Sequence, residues 1–322
     1  MEQLLLRVKS ALSEVKFENN NPIELYQPIT YTLNLGGKRI RPVMVLLTCD
    51  LFGGDIETAI NPAIAIEIFH NFTLLHDDIM DNAPIRRGKE TVFKKWNTNV
   101  AILSGDTMFA LAYKYLVKTK VPDIQSILDI FTKAAIEVCE GQQYDMNYET
   151  NDNVSIPEYI EMIRLKTAIL IATSLITGAV VAGADKTDVE NIYLFGENVG
   201  IAFQLMDDLL DIYGNQEVFG KKIGGDIVTN KKTYLLIKAM NEAKGKDLVE
   251  LKKYFSSTNF NDEEKIKSVT EIYNKLGVKE STNKLINDYY DKALICLSKI
   301  SINDDKKAVL KKYSDQLVTR DF

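Results

Sequence analysis

Apolar residues recur at intervals of three and four almost from end to end of this 322-residue chain, the period of one face of an α-helix. All seven prolines lie at or before Pro157, so nothing beyond it breaks the period with a residue that lacks an amide donor. No alternating apolar and polar run of strand type competes. The spacing predicts helices over residues 22–34, 40–52, 58–81, 98–119, 123–148, 156–184, 188–213 and 228–243, with shorter ones to the end. The opening segment, MEQLLLRVKSALSEVKF, reads as a further amphipathic helix, because its charges interrupt the apolar run that a signal peptide needs. Ser155 with Glu158, and Thr187 with Glu190, each fit a capping box at a helix start. No low-complexity tract or Pro/Ser-rich linker divides the chain. The expected fold class is therefore all-α, one large single-domain helical bundle over residues 1–322.

Composition narrows the function. The net charge is −6 and the pI about 5.2, which argues against a nucleic-acid surface or an anionic-membrane surface. An acidic protein can still hold a polyanion when divalent cations supply the positive charge. The three cysteines, Cys49, Cys139 and Cys296, are odd in number and far apart, so they read as buried thiols in a reducing compartment. The most apolar stretch, TAILIATSLITGAVVAGA from Thr167, is at the lower limit for a membrane span. Its small and β-branched residues suit a buried central helix better. The expectation is a cytoplasmic protein with no membrane span.

The chemistry concentrates in two matched acidic motifs. Asp77, Asp78 and Asp81 in LLHDDIMD, and Asp207, Asp208 and Asp211 in LMDDLLD, both stand at i, i+1 and i+4. On a helix the first and last of each set lie one above the other. Like charges at that spacing cost a few tenths of a kcal/mol when exposed and far more when buried. Both motifs end strongly apolar runs, so the cost is expected to serve a hard cation such as magnesium, which takes a few carboxylates together with water and phosphate oxygens. A solvated acidic helix end is the alternative for either motif alone. A calcium loop is excluded, because the loop glycine and the twelfth-position glutamate are missing.

Cations accompany the acids. Lys38, Arg39 and Arg41 follow a glycine pair in GGKRIRP, Arg86 and Arg87 follow the first motif, and Lys221, Asp226 and Lys231 follow the second in FGKKIGGDIVTNKKT. Arginine offers a planar fork to phosphate oxygens and lysine a point charge.

Taken together, GGKRIRP, FTLLHDDIMDNAPIRRGKETVF, AILSGD, EGQQYDM, LKTA, GIAFQLMDDLLDIYG and GKKIGGDIVTNKKT resemble the trans-isoprenyl diphosphate synthases, in that family's order, over roughly residues 36 to 234. The resemblance implies a helical bundle around a central cavity (the isoprenoid synthase fold) and a prenyltransferase that condenses isopentenyl diphosphate with an allylic diphosphate. It implies magnesium, three ions in number, with Asp77, Asp81 and Asp207 as main ligands and Asp78, Asp208, Asp211 and Asp226 in support. It places Arg86, Lys166, Lys221 and Lys231 on the allylic diphosphate, and Lys38, Arg41, His70 and Arg87 on isopentenyl diphosphate. Thr167 and Gln204 match neutral groups near the developing carbocation, with Lys166 beside them, and Gln142 and Asp145 match a further pair. A homodimer is implied as well. With only two histidines, His70 and His76, the chain has little to spare for a dedicated base, and the released diphosphate can take the proton.

Two departures stand out. Glu90 and Phe93 replace the more usual proline and histidine of RRGxPTVH, and the terminus LVTRDF lacks a basic tail; neither falls on a metal or diphosphate position. Phe72 lies five residues before Asp77, about 7.5 Å along a helix. With Phe69 it is expected to floor the hydrocarbon tunnel and set a C15–C20 product, although both rings could equally be core. Two rivals remain. A class I terpene cyclase shares one such motif, but it needs no GGKRIRP and usually carries a different second motif. A non-catalytic subunit of a heteromeric synthase typically loses aspartates that are all present here.

Overall fold

The computed structural model describes residues 2–17, 19–214, 223–256 and 260–319. The helices are α1 (Glu2–Ser13), α2 (Ile23–Asn34), α3 (Ile40–Leu51), α4 (Ile56–Met80), α5 (Val92–Lys95), α6 (Thr98–Leu116), α7 (Ile124–Glu149) and α8 (Ile156–Ile163). A π-helical turn, Arg164–Ala168, then leads into α9 (Ile169–Val181) and α10 (Lys186–Tyr213). The short α11 (Gly225–Val228) and α12 (Tyr234–Glu242) precede α13 (Gly245–Phe255), α14 (Asp262–Lys275), α15 (Val278–Lys299) and α16 (Asp304–Val318). Among the described residues the only strands are β1 (Ile85–Arg86) and β2 (Lys89–Glu90), a two-residue antiparallel pair. The fold is all-α.

The chain forms two compact units. One comprises residues 1–133 and 173–192, the other residues 134–172 and 193–322. In the first, α4 is buried on nearly every side from Ala59 to Asn71, so it has no polar face and needs neighbours all round. Helices α3 and α6 supply them, with Met44, Leu46, Leu47, Ile66, Ile68, Phe69 and Met108 at the centre. Helix α4 is capped by Asp55, whose carboxylate accepts from the Glu57 amide at 3.0 Å and from the Thr58 hydroxyl at 3.1 Å. In the second unit Tyr159, Phe195, Leu205, Leu209, Leu235, Val269 and Tyr273 form the buried centre.

Most helices stand where the periodicity put them, and three boundaries differ for identifiable reasons. The Ser155–Glu158 capping box forms, but α10 starts before Thr187, because Asp185 takes the cap and accepts from the Asp188 amide at 2.9 Å. The helix expected over 228–243 begins only at Tyr234. Asn230 adopts a left-handed φ of 62°, and the Lys231 amide bonds back to the Asp226 carbonyl at 2.9 Å, which makes residues 229–233 a loop. The expected helix over 156–184 is interrupted by the π-helical turn. The segment Ile156–Val181 is long and apolar enough to cross a membrane, but 83% of its most apolar window is buried inside the protein, as in a core helix.

Glycine permits one close helix crossing in the first unit. A Cβ on Gly178 of α9 would overlap the Val45 carbonyl oxygen and crowd Cys49 and Thr48 of α3. Gly178→Ala is expected to cost about 1–3 kcal/mol of stability, seen as a lower urea midpoint at unchanged slope. An unchanged midpoint would mean that the two helices can part freely.

Candidate active site

The first acidic motif closes α4. Asp77 and Asp78 lie in its last turn, and Asp81 caps its carboxyl end with its amide on the Asp77 carbonyl at 2.8 Å. Asp78 is buried, Asp77 half-buried and Asp81 exposed. Burial lifts the Asp78 carboxyl to about 6, against the pull of Arg86 and with a push from Asp77 and Asp81. Arg86 bridges the pair: Nε donates to Asp78 at 2.7 Å and a terminal nitrogen to Asp77 at 3.2 Å. The hairpin presents that arginine. Arg87 and Gly88 both take positive φ (53° and 74°), the geometry of a two-residue turn that matches strand twist. Thr91 fastens the hairpin's return, donating to the Ala83 carbonyl at 2.8 Å.

The glycine-opened turn meets this hairpin. Arg87 donates to the Gly36 carbonyl, and a Cβ on Gly37 would strike the Arg87 guanidinium. The Arg41 guanidinium donates to His70 Nε2 at 3.2 Å. Burial, and then Arg41, Arg87, Arg86 and Arg39, hold His70 well below its ordinary pKa, so the ring is neutral and uses its Nε2 lone pair as acceptor. Lys38 is exposed on the same turn. Arg39 differs from its two neighbours. It is buried and pairs with Glu67, which also accepts from Asn71 at 3.0 Å, so its charge anchors the turn from beneath. Nothing in GGKRIRP distinguishes the anchor from its neighbours.

Below the first motif lies a knot of aromatic rings. Phe69 and Phe72 are 5.4 Å apart by ring centroids, and Phe109 of α6 contacts both, at 5.9 and 5.4 Å. Tyr113 and Phe131 close the set, and His76 stands edge-on to Phe72 at 4.8 Å. The sequence suggested two of these rings. The others come from helices whose register against α4 no local pattern reveals.

In the second unit, Asp207, Asp208 and Asp211 occupy the last two turns of α10. Asp208 is fully enclosed, and burial, then Asp226, raises its carboxyl to about 7 while Tyr159, Lys231 and Gln204 oppose the rise. The Tyr159 hydroxyl donates to one Asp208 oxygen and Gln204 Nε2 to the other at 2.9 Å. That fixes the amide: its oxygen must face Thr167, whose hydroxyl donates to it at 3.0 Å. The Thr167 proton is therefore committed, and its lone pairs remain open. Asp211 fastens the loop beyond, accepting the Asp226 amide on a side-chain oxygen at 2.9 Å and the Gly224 amide on its carbonyl at 2.6 Å.

Lys166 and Thr167 lie in the π-helical turn, a widened coil often found at functional sites. Two glycines allow its neighbours to close on it. A Cβ on Gly141 of α7 would overlap the Lys166 amide, and one on Gly200 of α10 would overlap Ala168. Lys166 donates to Asp145 at 2.6 Å. Burial pushes the Asp145 carboxyl up, but Lys231 and Lys166 together hold it below its ordinary value. The side-chain nitrogen of Gln142, one turn before Asp145, is buried and has no hydrogen-bond partner among the described residues.

The structure thus gathers Asp77, Asp78, Asp81, Arg86, Arg87, Lys38, Arg41 and His70 in the first unit. It gathers Lys166, Thr167, Gln204, Asp207, Asp208, Asp211 and Lys231 in the second. Lys221 lies outside the described residues. Tyr159, which fastens Asp208, was not singled out from sequence; an isolated tyrosine in IPEYIEMI carries no signal of its own.

Comparison with known proteins decides what the geometry belongs to. The polyprenyl synthetase family profile matches residues 22–273. The chain belongs to the polyprenyl synthetase family. A solved geranylgeranyl pyrophosphate synthase is 43% identical, with a TM-score of 0.92, covering 100% of this chain and 98% of that one. Geranylgeranyl pyrophosphate synthase of Geoglobus acetivorans is 36% identical over 96% of this chain and 94% of its own. Geranylfarnesyl diphosphate synthase of Aeropyrum pernix is 33% identical over 94% and 96%. As a member of that family the chain is a prenyltransferase, a short-chain prenyl diphosphate synthase.

The donor set also suits the metal that the acidic motifs suggest. All the carboxylates are hard oxygen donors. Among the described residues no three His, Cys, Asp or Glu side chains are gathered to enclose an ion by themselves. Hard carboxylate oxygens are the donors magnesium takes together with water and phosphate oxygens.

Tyr159→Phe is expected to remove one of two donors to the buried Asp208 carboxylate, costing about 1–3 kcal/mol of stability. It should also raise the magnesium concentration for half-maximal turnover by roughly 10- to 100-fold. Denaturation curves and a magnesium titration check both, and an unchanged titration would remove Tyr159 from the site.

Proposed function

We propose that the chain is a magnesium-dependent trans-prenyl diphosphate synthase that joins isopentenyl diphosphate to an allylic diphosphate and stops at a C15–C20 product. The observation that carries this reading is the repeated pairing of a carboxylate-rich helix end with cations. Arg86 lies on Asp77 and Asp78, and Lys231 acts on the buried Asp208 and, with Lys166, on Asp145. Carboxylates alone repel a diphosphate, and cations alone leave no place for a divalent metal; both together suit a metal–diphosphate complex.

In this reading Asp77, Asp81 and Asp207 hold magnesium, three ions in all, with Asp78, Asp208, Asp211 and Asp226 in support. Bound magnesium supplies positive charge against the departing diphosphate. The chain's own groups do the rest. Arg86, Lys166 and Lys231, with Lys221, grip the allylic diphosphate and neutralise charge as its carbon–oxygen bond breaks. Lys38, Arg41 and Arg87 hold isopentenyl diphosphate by charge, and neutral His70 adds a hydrogen bond without competing for metal. The open lone pairs of Thr167, oriented through Gln204 by Asp208, face the developing carbocation. The isopentenyl double bond attacks that cation, and the released diphosphate takes the proton. Phe72 and Phe69, backed by Phe109, Tyr113 and Phe131, stop the growing chain. A homodimer and a cytoplasmic location fit this activity.

The test uses labelled isopentenyl diphosphate with dimethylallyl, geranyl or farnesyl diphosphate, in magnesium or EDTA, resolved by chain length. Condensation to C15 or C20 in magnesium and none in EDTA is expected; no condensation with any starter would overturn the proposal. Geranyl diphosphate alone should remain unconverted, whereas release of hydrocarbon or alcohol would point to a cyclase. Phe72→Ala should shift the product towards longer chains, and an unchanged product would remove Phe72 from the floor.

A further inference from the structure

The loop that follows the second acidic motif is held from behind by a lysine that no motif marks. Lys265, in the first turn of α14, is 3% exposed. Its ammonium donates to the side-chain oxygen of Asn230, reaches the Val228 carbonyl at 3.5 Å, and lies 5.0 Å from the centroid of the Phe255 ring. The next residue, Ile266, packs on Gly224, where a Cβ would come within 2.6 Å of it. Gly224 and Asn230 are the positive-φ residues that bracket the loop, at 82° and 62°.

Asp226, in α11 within that bracket, and Lys231, just beyond it, are tied together by the Lys231 amide on the Asp226 carbonyl at 2.9 Å. One side of the loop is fastened to Asp211, and the other rests on Lys265 and Ile266. Burying an ammonium group costs free energy that an apolar side chain of the same length avoids. The charge is explained by what it holds, since it grips the residue immediately before Lys231.

We infer that Lys265 is a positioning residue for the allylic-diphosphate half of the reaction. It fixes the crest of the loop so that Asp226 and Lys231 meet their ligand in one geometry, and it touches no substrate itself. The inference rests on the proposed roles of Asp226 and Lys231.

Four variants and a control test it on the full chain. Lys265→Met keeps the apolar stem and removes the charge. Asn230→Gly keeps the left-handed backbone and removes the acceptor, so it stands in if Lys265→Met fails to fold. Each should raise KM for the allylic diphosphate, and the magnesium concentration for half-maximal rate, by about 10-fold or more. KM for isopentenyl diphosphate should hold, and the double variant should be no worse than the worse single one. Lys265→Arg should recover part of the loss. Asp226→Ala serves as the control. If it leaves the allylic KM unchanged, the loop's assignment to that substrate is wrong and the inference falls with it. If Asp226→Ala raises that KM while Lys265→Met and Asn230→Gly do not, or raise both KM values alike with a lower Tm, Lys265 is purely structural and the inference is overturned.

Discussion

Carboxylates at the carboxyl end of a helix meet a field that is already negative, and both acidic motifs of this chain stand there. Asp77 and Asp78 fall in the last turn of α4, and Asp207, Asp208 and Asp211 in the last two turns of α10. Each motif therefore combines three unfavourable terms: like charges one turn apart, the helix field and partial burial. The compensation comes from groups placed around them, such as the Arg86 fork, the Tyr159 hydroxyl, the Gln204 amide and the backbone amide of Asp226. Local structure that looks unrelated, such as the tight hairpin at Arg87–Gly88 and the loop at Asn230, exists to deliver those groups. A fold that only needed to be stable would not concentrate charge in this way; a fold that must attract a cation would.

The same economy orders the neutral part of the site. Tyr159 and Gln204 share the two oxygens of Asp208, and because one is taken by the amide nitrogen, the amide oxygen can only turn to Thr167. An acidic residue thus sets the orientation of a hydroxyl two hydrogen bonds away, without bringing a charge to that position itself. In the other unit, the buried Arg39–Glu67 pair does comparable work for the turn that carries Lys38 and Arg41. Such a pair adds little stability over an apolar one; it fixes which way the adjacent cations point.

Much of this was legible in the sequence. The helical period placed most of the helices, because a chain that buries one apolar stripe per helix must repeat it every three or four residues. The aspartates were legible because their spacing has no cheap structural explanation. Other features left no local mark. The π-helical turn in RLKTA depends on Gly141 and Gly200 approaching from elsewhere in the chain, and Tyr159 gains its meaning only from a carboxylate far away in sequence. Arg39 and Arg41 look alike in GGKRIRP, and only Glu67 tells them apart. The start of the helix expected over 228–243 was misjudged because lysines and a threonine suit a helix well enough until a left-handed asparagine is required.

The π-helical turn carries a consequence for how this chain can change in length. One residue more than a regular coil needs is accommodated between α8 and α9, and it rotates everything upstream relative to everything downstream. Removing one residue from 164–168 would let the coil close on regular hydrogen bonds, giving a smoother helix than the natural one. It would also swing Lys166 and Thr167 off the line that Asp145 and Gln204 require. At this point a more regular coil and the two side-chain contacts exclude one another, so a deletion that smoothed the helix would break both hydrogen bonds.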